Sequence, residues 1–369
     1  RHVSALQVGP GHEFRLVVLH PLHAPDTFKA PDDLRLAQTA LADTVGFRAP
    51  SGGRTRPLRI DNLIERRLLV LPGQIMRSDR FDMAFTDYVV VRGRSGTEAP
   101  LELVSTAASR DEPRPERRVL PDWLPPTLRF AVGPDAPHGD LDRTLSEWAD
   151  LAGLEGPRTS MADLARGENV KERAAEYERA LGVQARAPAG LQTVGYAAVL
   201  DGEPLVVETF ADGKTFTELW GSLARALAAE AAVVEAREDL LETDMAPTGE
   251  PDRFLAPVRE LLLGFYRDEP EQQSVRETGK RYEVDTPVGT VRALVLGPEE
   301  FVHAVLVTDP RRRSDSEAPD FDPGAISRKA RPTQAEERWL DRRKNRQPPI
   351  PGEQPKPPGP KPDTEFPPR

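Results

Sequence analysis

Thr193-Val-Gly-Tyr-Ala-Ala-Val-Leu200, then Asp201-Gly-Glu-Pro204, then Leu205-Val-Val-Glu-Thr-Phe210 carries the clearest structural signal in the chain. Two apolar runs flank an Asp-Gly turn signal, which predicts a β-hairpin. Beyond it, Phe216, Leu219, Trp220, Leu223 and Leu227 recur at helical spacing, so a long amphipathic helix follows, reaching Ala232. The stretch holds no catalytic constellation. It speaks to fold more than to chemistry.

Working outward, Arg281 to Val284, Gly289 to Leu296 and Phe301 to Thr308 read as a terminal β-meander. An amphipathic helix is predicted over Asp252 to Asp268, with Phe254, Val258, Leu261, Leu262 and Phe265 on one face and Pro257 in its first turn. Upstream, Asp140 to Gly153 carries Leu141, Leu145 and Trp148 on one stripe, and Met161 to Leu181 continues helically in two pieces around Gly167. Ser109 to Pro126 is charged and Pro-rich, the composition of a surface loop. Before it the signals are mostly short strands: Phe14 to Leu19 closed by His20-Pro21-Leu22-His23, a pair within Leu58 to Leu71 ended by Pro72-Gly73, Asp87 to Arg92, and Leu101 to Ser105. One short helix is expected from Asp32 or Asp33 through Ala42, with Leu34, Ala37 and Leu41 on one face. The fold class is therefore α+β: a β-rich N-terminal half, central helices, then hairpin, helix, helix and meander.

The globular signal stops near residue 310. Thr333 to Arg346 could form one charged helix, and Pro348 to Pro368 holds ten prolines in 21 residues. Such a tract favours polyproline II and cannot build a core, so residues 311–369 read as a disordered tail after a single 1–310 domain with a sub-boundary near 109–139. The tail carries a net charge of +4 and the remainder −14, for a total of −10. The acidic body argues against non-specific nucleic-acid binding. PxxP spacings at Pro348/Pro351, Pro355/Pro358 and Pro357/Pro360 could dock on a partner's aromatic groove, although a bare spacer or disordered tail is the favoured reading, since any Pro-rich tract makes such matches.

No run of 18 apolar residues occurs, so no membrane-spanning helix is expected. The chain has no cysteine, which removes disulfides, thiolate catalysis and cysteine-ligated metals. It opens on Arg1 and reads as a processed or trimmed product. An exported protein is slightly favoured, with a cytoplasmic one open. Motifs for dinucleotide binding, P-loop phosphate binding, standard zinc proteases and α/β-hydrolases are all missing from the sequence.

Candidate chemistry is sparse. Asp79, Arg80, Asp82 and Asp87 cluster after a strand end, where an Arg fork and hard carboxylate oxygens could hold a phosphate or metal–phosphate group. A charged turn with Arg80 internally paired is the alternative. His20, His23 and His303 could converge as metal ligands or supply a base, against a reading of ordinary strand histidines. Trp148, Phe216 and Trp220 could line a pocket, although their spacing is that of core residues. The acidic set Glu235, Glu238, Asp239, Glu242 and Asp244 reads as a solvated helix end. No metal or cofactor is assigned.

Three segments together resemble one family. Leu58 to Val91 ends a β module with Leu71-Pro72-Gly73 and a later Asp79-Arg80. Val194 to Trp220 carries Val-Gly-Tyr, Asp-Gly and Phe-x3-Trp-x2-Leu. Val302-His303 lies in the last strand. The pattern resembles the bacterial domain named for its association with ADP-ribosylglycohydrolases and rhodanese-phosphatases, over roughly residues 5–310. That family has no established activity, and its name points to ADP-ribose or nucleotide metabolism. Gln74 and Arg77-Ser78-Asp79-Arg80 depart from its Glu- and Gly-rich turn, and Leu103-Val104-Ser105-Thr106 from its Cys/Glu strand. The expected function is a non-enzymatic binding or assembly module. The alternatives are an ADP-ribose or nucleotide hydrolase or ligand-binding domain using Asp79, Arg80, Asp82, His20 and His303, and a secreted or envelope structural protein.

Overall fold

The structure is a computed structural model that describes residues 5–39, 45–48, 58–77, 82–104, 118–132, 140–154, 164, 167–183, 187–241, 273–275, 279–285, 289–297 and 300–308. The helix expected over Asp252 to Asp268, the residues Asp79 and Arg80, and the tail from residue 309 lie outside them. The described residues all fall within the unit Arg1–Glu317.

The strands are β1 (Gln7–Val8), β2 (His12–Phe14), β3 (Val17–Pro25), β4 (Leu34–Leu36), β5 (Val45–Arg48), β6 (Leu58–Asn62), β7 (Arg67–Val70), β8 (Gln74–Arg77), β9 (Asp82–Phe85), β10 (Val89–Val91), β11 (Gly96–Ala99), β12 (Leu101–Leu103), β13 (Arg118–Trp123), β14 (Leu191–Leu200), β15 (Glu203–Phe210), β16 (Gln273–Val275), β17 (Gly279–Asp285), β18 (Gly289–Val295) and β19 (Phe301–Thr308). The helices are α1 (Pro126–Ala131), α2 (Asp140–Leu151), α3 (Lys171–Leu181) and α4 (Gly213–Leu241). The fold is α+β, β-rich in its N-terminal half.

One nine-stranded sheet dominates, in the order β1-β3-β14-β15-β19-β18-β17-β16, with β2 added beside β3. The expected hairpin forms β14 and β15. Asp201 and Gly202 both take positive φ, at 51° and 74°, the geometry a two-residue hairpin turn demands. Asp212 caps α4 by accepting the Thr215 N–H at 2.8 Å, and α4 then packs over β14. One sheet face, with Tyr196, Val206, Phe210 and Val305, joins the large core beneath the helices. The residues between them, Ala197, Val207, Ala304 and Leu306, form a second core on the other face. Small sheets β10-β7-β4, β11-β6-β5 and β12-β9-β8-β13 enclose a third core, with Ile60, Leu68, Met76 and Phe85 fully buried.

Three expectations are corrected. No helix starts at Asp32 or Asp33. Leu34 and Leu36 are buried with Arg35 between them, and the segment pairs in parallel with β7 before a 3-10 turn at Ala37–Thr39. Burial at a period of two overrode a helical reading of the same leucines. The strand expected to close at His20 continues through Pro21 to Pro25. The Pro21 carbonyl accepts the Gly9 N–H at 2.8 Å, so its missing N–H faces the gap between β1 and β2 and no ladder bond to β14 is lost. The segment read as a loop from Ser109 to Pro126 contains β13 and opens α1. Pro126 sits at the helix start, where a proline lacks nothing the helix needs.

Candidate functional site

The central strands carry a few buried polar residues on their helix-covered face. Glu208 of β15 lies directly opposite Tyr196 of β14. It also pairs with Val305 of β19, so His303, two residues along, reaches it diagonally. Arg129 comes down from above on α1, which packs on β15 and β19. Tyr88, just before β10, approaches His303 from its far side.

Glu208 and His303 are 0% exposed and the Arg129 side chain 5%. Arg129 donates Nη1 to Glu208 Oε2 at 2.9 Å and Nη2 to Oε1 at 2.7 Å. Tyr196 donates its hydroxyl to Oε2 at 2.8 Å, and His303 Nε2 lies 2.8 Å from Oε1. Each carboxylate oxygen therefore receives two donors, which uses the full capacity of the group. An ionised carboxylate can only accept, so Nε2 carries the proton and the neutral ring accepts at Nδ1 from the Tyr88 hydroxyl, 2.7 Å away. Phe210 packs beside the imidazole at 4.7 Å between ring centroids.

Burial alone would raise the Glu208 pKa. The Arg129 charge and the His303 and Arg129 hydrogen bonds outweigh it and hold the carboxyl down at about 2. Burial opposes the Arg129 charge too, and Glu208 again wins, raising the guanidinium. Burial lowers the His303 pKa more than Glu208 restores it, so the ring stays neutral. Burial also pushes Tyr88 and Tyr196 well above the usual phenol range, with Glu208 adding to it.

Local features hold these groups in place. Glu230 of α4, 1% exposed, accepts the Thr127 N–H at 3.0 Å and the Thr127 hydroxyl, which fixes α1 two residues before Arg129. Gly73 has φ +88°, and a Cβ there would lie 2.7 Å from Arg129 Cγ, so only glycine leaves room for the Arg129 stem. Trp123 stands 5.1 Å from the Arg129 guanidinium carbon. Gln74, fully buried, accepts the Leu71 N–H at 2.9 Å and donates to Gln38 at 2.9 Å. The Pro72-Gly73-Gln74 turn is thus a wall of this centre.

The structure disperses the residues that the sequence singled out. Asp79 and Arg80 lie outside the described residues. The backbone of Asp82 opens β9 opposite Arg77. Asp87 pairs with Arg281, and its Oδ1 accepts the Tyr88 N–H at 2.7 Å. His20 and His23 are buried in β3, with Nδ1 3.3 Å from the Gly9 carbonyl and 3.2 Å from the Thr193 hydroxyl respectively. Two strands separate β3 from β19, and His20 sits beside Ala197, whose side chain belongs to the opposite core from that facing His303. The three histidines do not converge. Among the described residues no group of three His, Cys, Asp or Glu could hold a metal, and no helix is long and apolar enough to cross a membrane. Trp148, Phe216 and Trp220 are core residues.

Only His303 of the centre was singled out from sequence. Glu208 had a signal: a lone carboxylate in the apolar run Leu205 to Phe210 of a central strand. Glu230 had the same signal inside an Ala-rich helix. Arg129, Tyr88 and Tyr196 had none.

Residues 144–307 match the family model of ARPP-1, the ARG and Rhodanese-Phosphatase-superfamily-associated Protein domain. That part of the chain is similar to the ARPP-1 domain. No curated protein and no solved structure matches the chain. The match covers Tyr196, Glu208, Glu230 and His303. Tyr88, Trp123 and Arg129 come from the preceding part of the chain, as does β3, which pairs with β14 from Leu191 to Leu200. The centre is therefore shared between the matched residues and the segment before them.

Proposed function

We propose that the protein is a non-enzymatic binding or assembly module. One observation carries this reading: the ionisable groups best placed for chemistry are saturated by one another. Both oxygens of Glu208 hold two donors each, and His303 is hydrogen-bonded at both ring nitrogens. A general acid or base needs a lone pair or proton that reaches the substrate. Here those positions are filled by Arg129, Tyr196 and Tyr88. A buried ion pair adds little net stability over apolar residues of similar volume, and we take this one to specify a unique packing. Its proposed role is to fix the ARPP-1 domain against residues 5–132 as one body that presents a surface. The Pro-rich stretch from Pro348 to Pro368 suits contact with a partner's aromatic groove.

The test is a turnover and thermal-shift screen with ADP-ribose, NAD and nucleoside phosphates, with and without Mg²⁺. The expected result is no turnover above buffer and no ligand-induced shift. Turnover that disappears in Glu208→Gln would overturn the reading. An ADP-ribose shift lost in Arg80→Ala would replace it with the nucleotide-binding one.

A further inference from the structure

We infer that the Glu208 centre is a guanidinium receptor, and that Arg129 is its occupant in cis. This rests on the binding-module reading and names the ligand class of its best-built site. The receptor groups, Tyr196, Glu208 and His303, lie within the ARPP-1 match, whereas the guanidinium comes from residue 129, before it. Tyr196 takes one lone pair of Oε2 and His303 one of Oε1. These two bonds orient the carboxylate without Arg129. They leave one acceptor on each oxygen, the pair of positions that a guanidinium fork fills and an ammonium cannot.

The surroundings suit the same ligand. Trp123 offers a ring to the cation at 5.1 Å. The Gly73 backbone leaves a channel for an alkyl stem. Glu230, a second buried carboxylate of the domain, holds Thr127 through both its N–H and its hydroxyl. The domain thus grips Pro126-Thr127-Leu128-Arg129 at two points two residues apart. That is the pattern of a receptor reading an arginine-bearing segment, with the segment supplied by the same chain.

The experiment is chemical rescue in the full chain. Arg129→Ala removes the guanidinium and leaves the receptor groups in place. Methylguanidinium at 1–20 mM is then titrated against wild type and variant, with methylammonium and sodium chloride at the same concentrations as controls. The expected result is a Tm rise of about 3 °C in Arg129→Ala at ten times the probe's Kd, no rise in wild type, and none in Arg129→Ala/Glu208→Gln. If Arg129→Ala does not fold alone, its refolding yield with methylguanidinium against methylammonium reads the same question. Equal effects of all three salts, or no effect of methylguanidinium, would overturn the inference. Failure of the binding-module reading would instead show as turnover in the substrate screen, which this titration does not measure.

Discussion

The Glu208 centre and the double turn around Asn62 solve the same problem with different chemistry. Both bury polar side chains to hold separate segments together. Asn62 is 1% exposed. It donates Nδ2 toward the Arg66, Val91 and Arg92 carbonyls at 2.8–3.1 Å and accepts the Ile64 N–H at 3.2 Å. It ties the turn at 63–66 to the turn at 92–95 with one neutral amide. The Glu208 centre joins residues 88, 129, 196, 208 and 303 with opposite charges and an imidazole. A neutral staple is local and indifferent to pH. A charged one reaches across the chain, and its effect depends on every partner keeping its protonation state.

Removing one charge from the Glu208 centre should have the largest effect. Arg129→Met leaves Glu208 buried beside two neutral donors, and an uncompensated buried charge costs about 3–5 kcal/mol. We expect chemical denaturation to show a loss of that size. The charge-balanced double variant Arg129→Met/Glu208→Gln should recover much of it, because the desolvation of both ions is relieved together. A loss under 1 kcal/mol in the single variant would mean that solvent reaches Glu208.

Acid should separate the two regions next. The His303 pKa lies below its ordinary value of 6.5, so its contribution is complete above pH 6.5 and declines as pH falls below that. Glu208 falls from an ordinary 4.5 to about 2, so its contribution is complete above pH 4.5 and is lost between there and pH 2. That second loss is on the order of 3 kcal/mol. His23, lowered by burial, acts in the same direction as His303. Stability measured from pH 7.5 to 5 should therefore fall less steeply in His303→Gln than in wild type. An unchanged slope would assign the dependence to His23 and remove His303 from the account.

What could be read from sequence follows the range of the interactions. The hairpin over β14 and β15 was legible because its turn residues and apolar runs are adjacent and need no distant partner. The same holds for α2, the start of α4 and the β17–β19 meander. The strand at Leu34–Leu36 was not legible, since its pairing with β7 lies more than thirty residues away. The centre was least legible of all. Arg129 and Glu208 are 79 residues apart and Tyr88 and His303 215, and a six-residue helix after a Pro-rich stretch carries no periodicity to recognise. His303 stood out only as a histidine in an apolar strand.

For the neutral staple, Asn62→Ala should cost about 2 kcal/mol, since it strands buried carbonyls and the Ile64 N–H. Unlike the centre, its loss should be the same at pH 7.5 and pH 5. A pH-dependent loss would show that the two regions are coupled and would erase the distinction between them.

The smallest expected effect lies at the rim of that staple, at Arg94. Its side chain pairs with Glu65 at 2.8 Å, but both are more than 70% exposed, so the pair contributes only a few tenths of a kcal/mol. Its backbone is the more telling feature, with φ +54° in the left-handed region. Gly93 beside it is forced, because a Cβ there would lie 2.0 Å from the Glu65 carbonyl oxygen. At Arg94 nothing forces a side chain. Arg94→Ala keeps the unfavourable φ and loses the pair, whereas Arg94→Gly loses the pair and relieves the φ, offset by greater freedom of the unfolded chain. Glycine should therefore be more stable than alanine there by roughly 1 kcal/mol. The reverse order would mean that the greater freedom of the unfolded glycine chain outweighs the relieved φ, so that the left-handed backbone at residue 94 carries little strain.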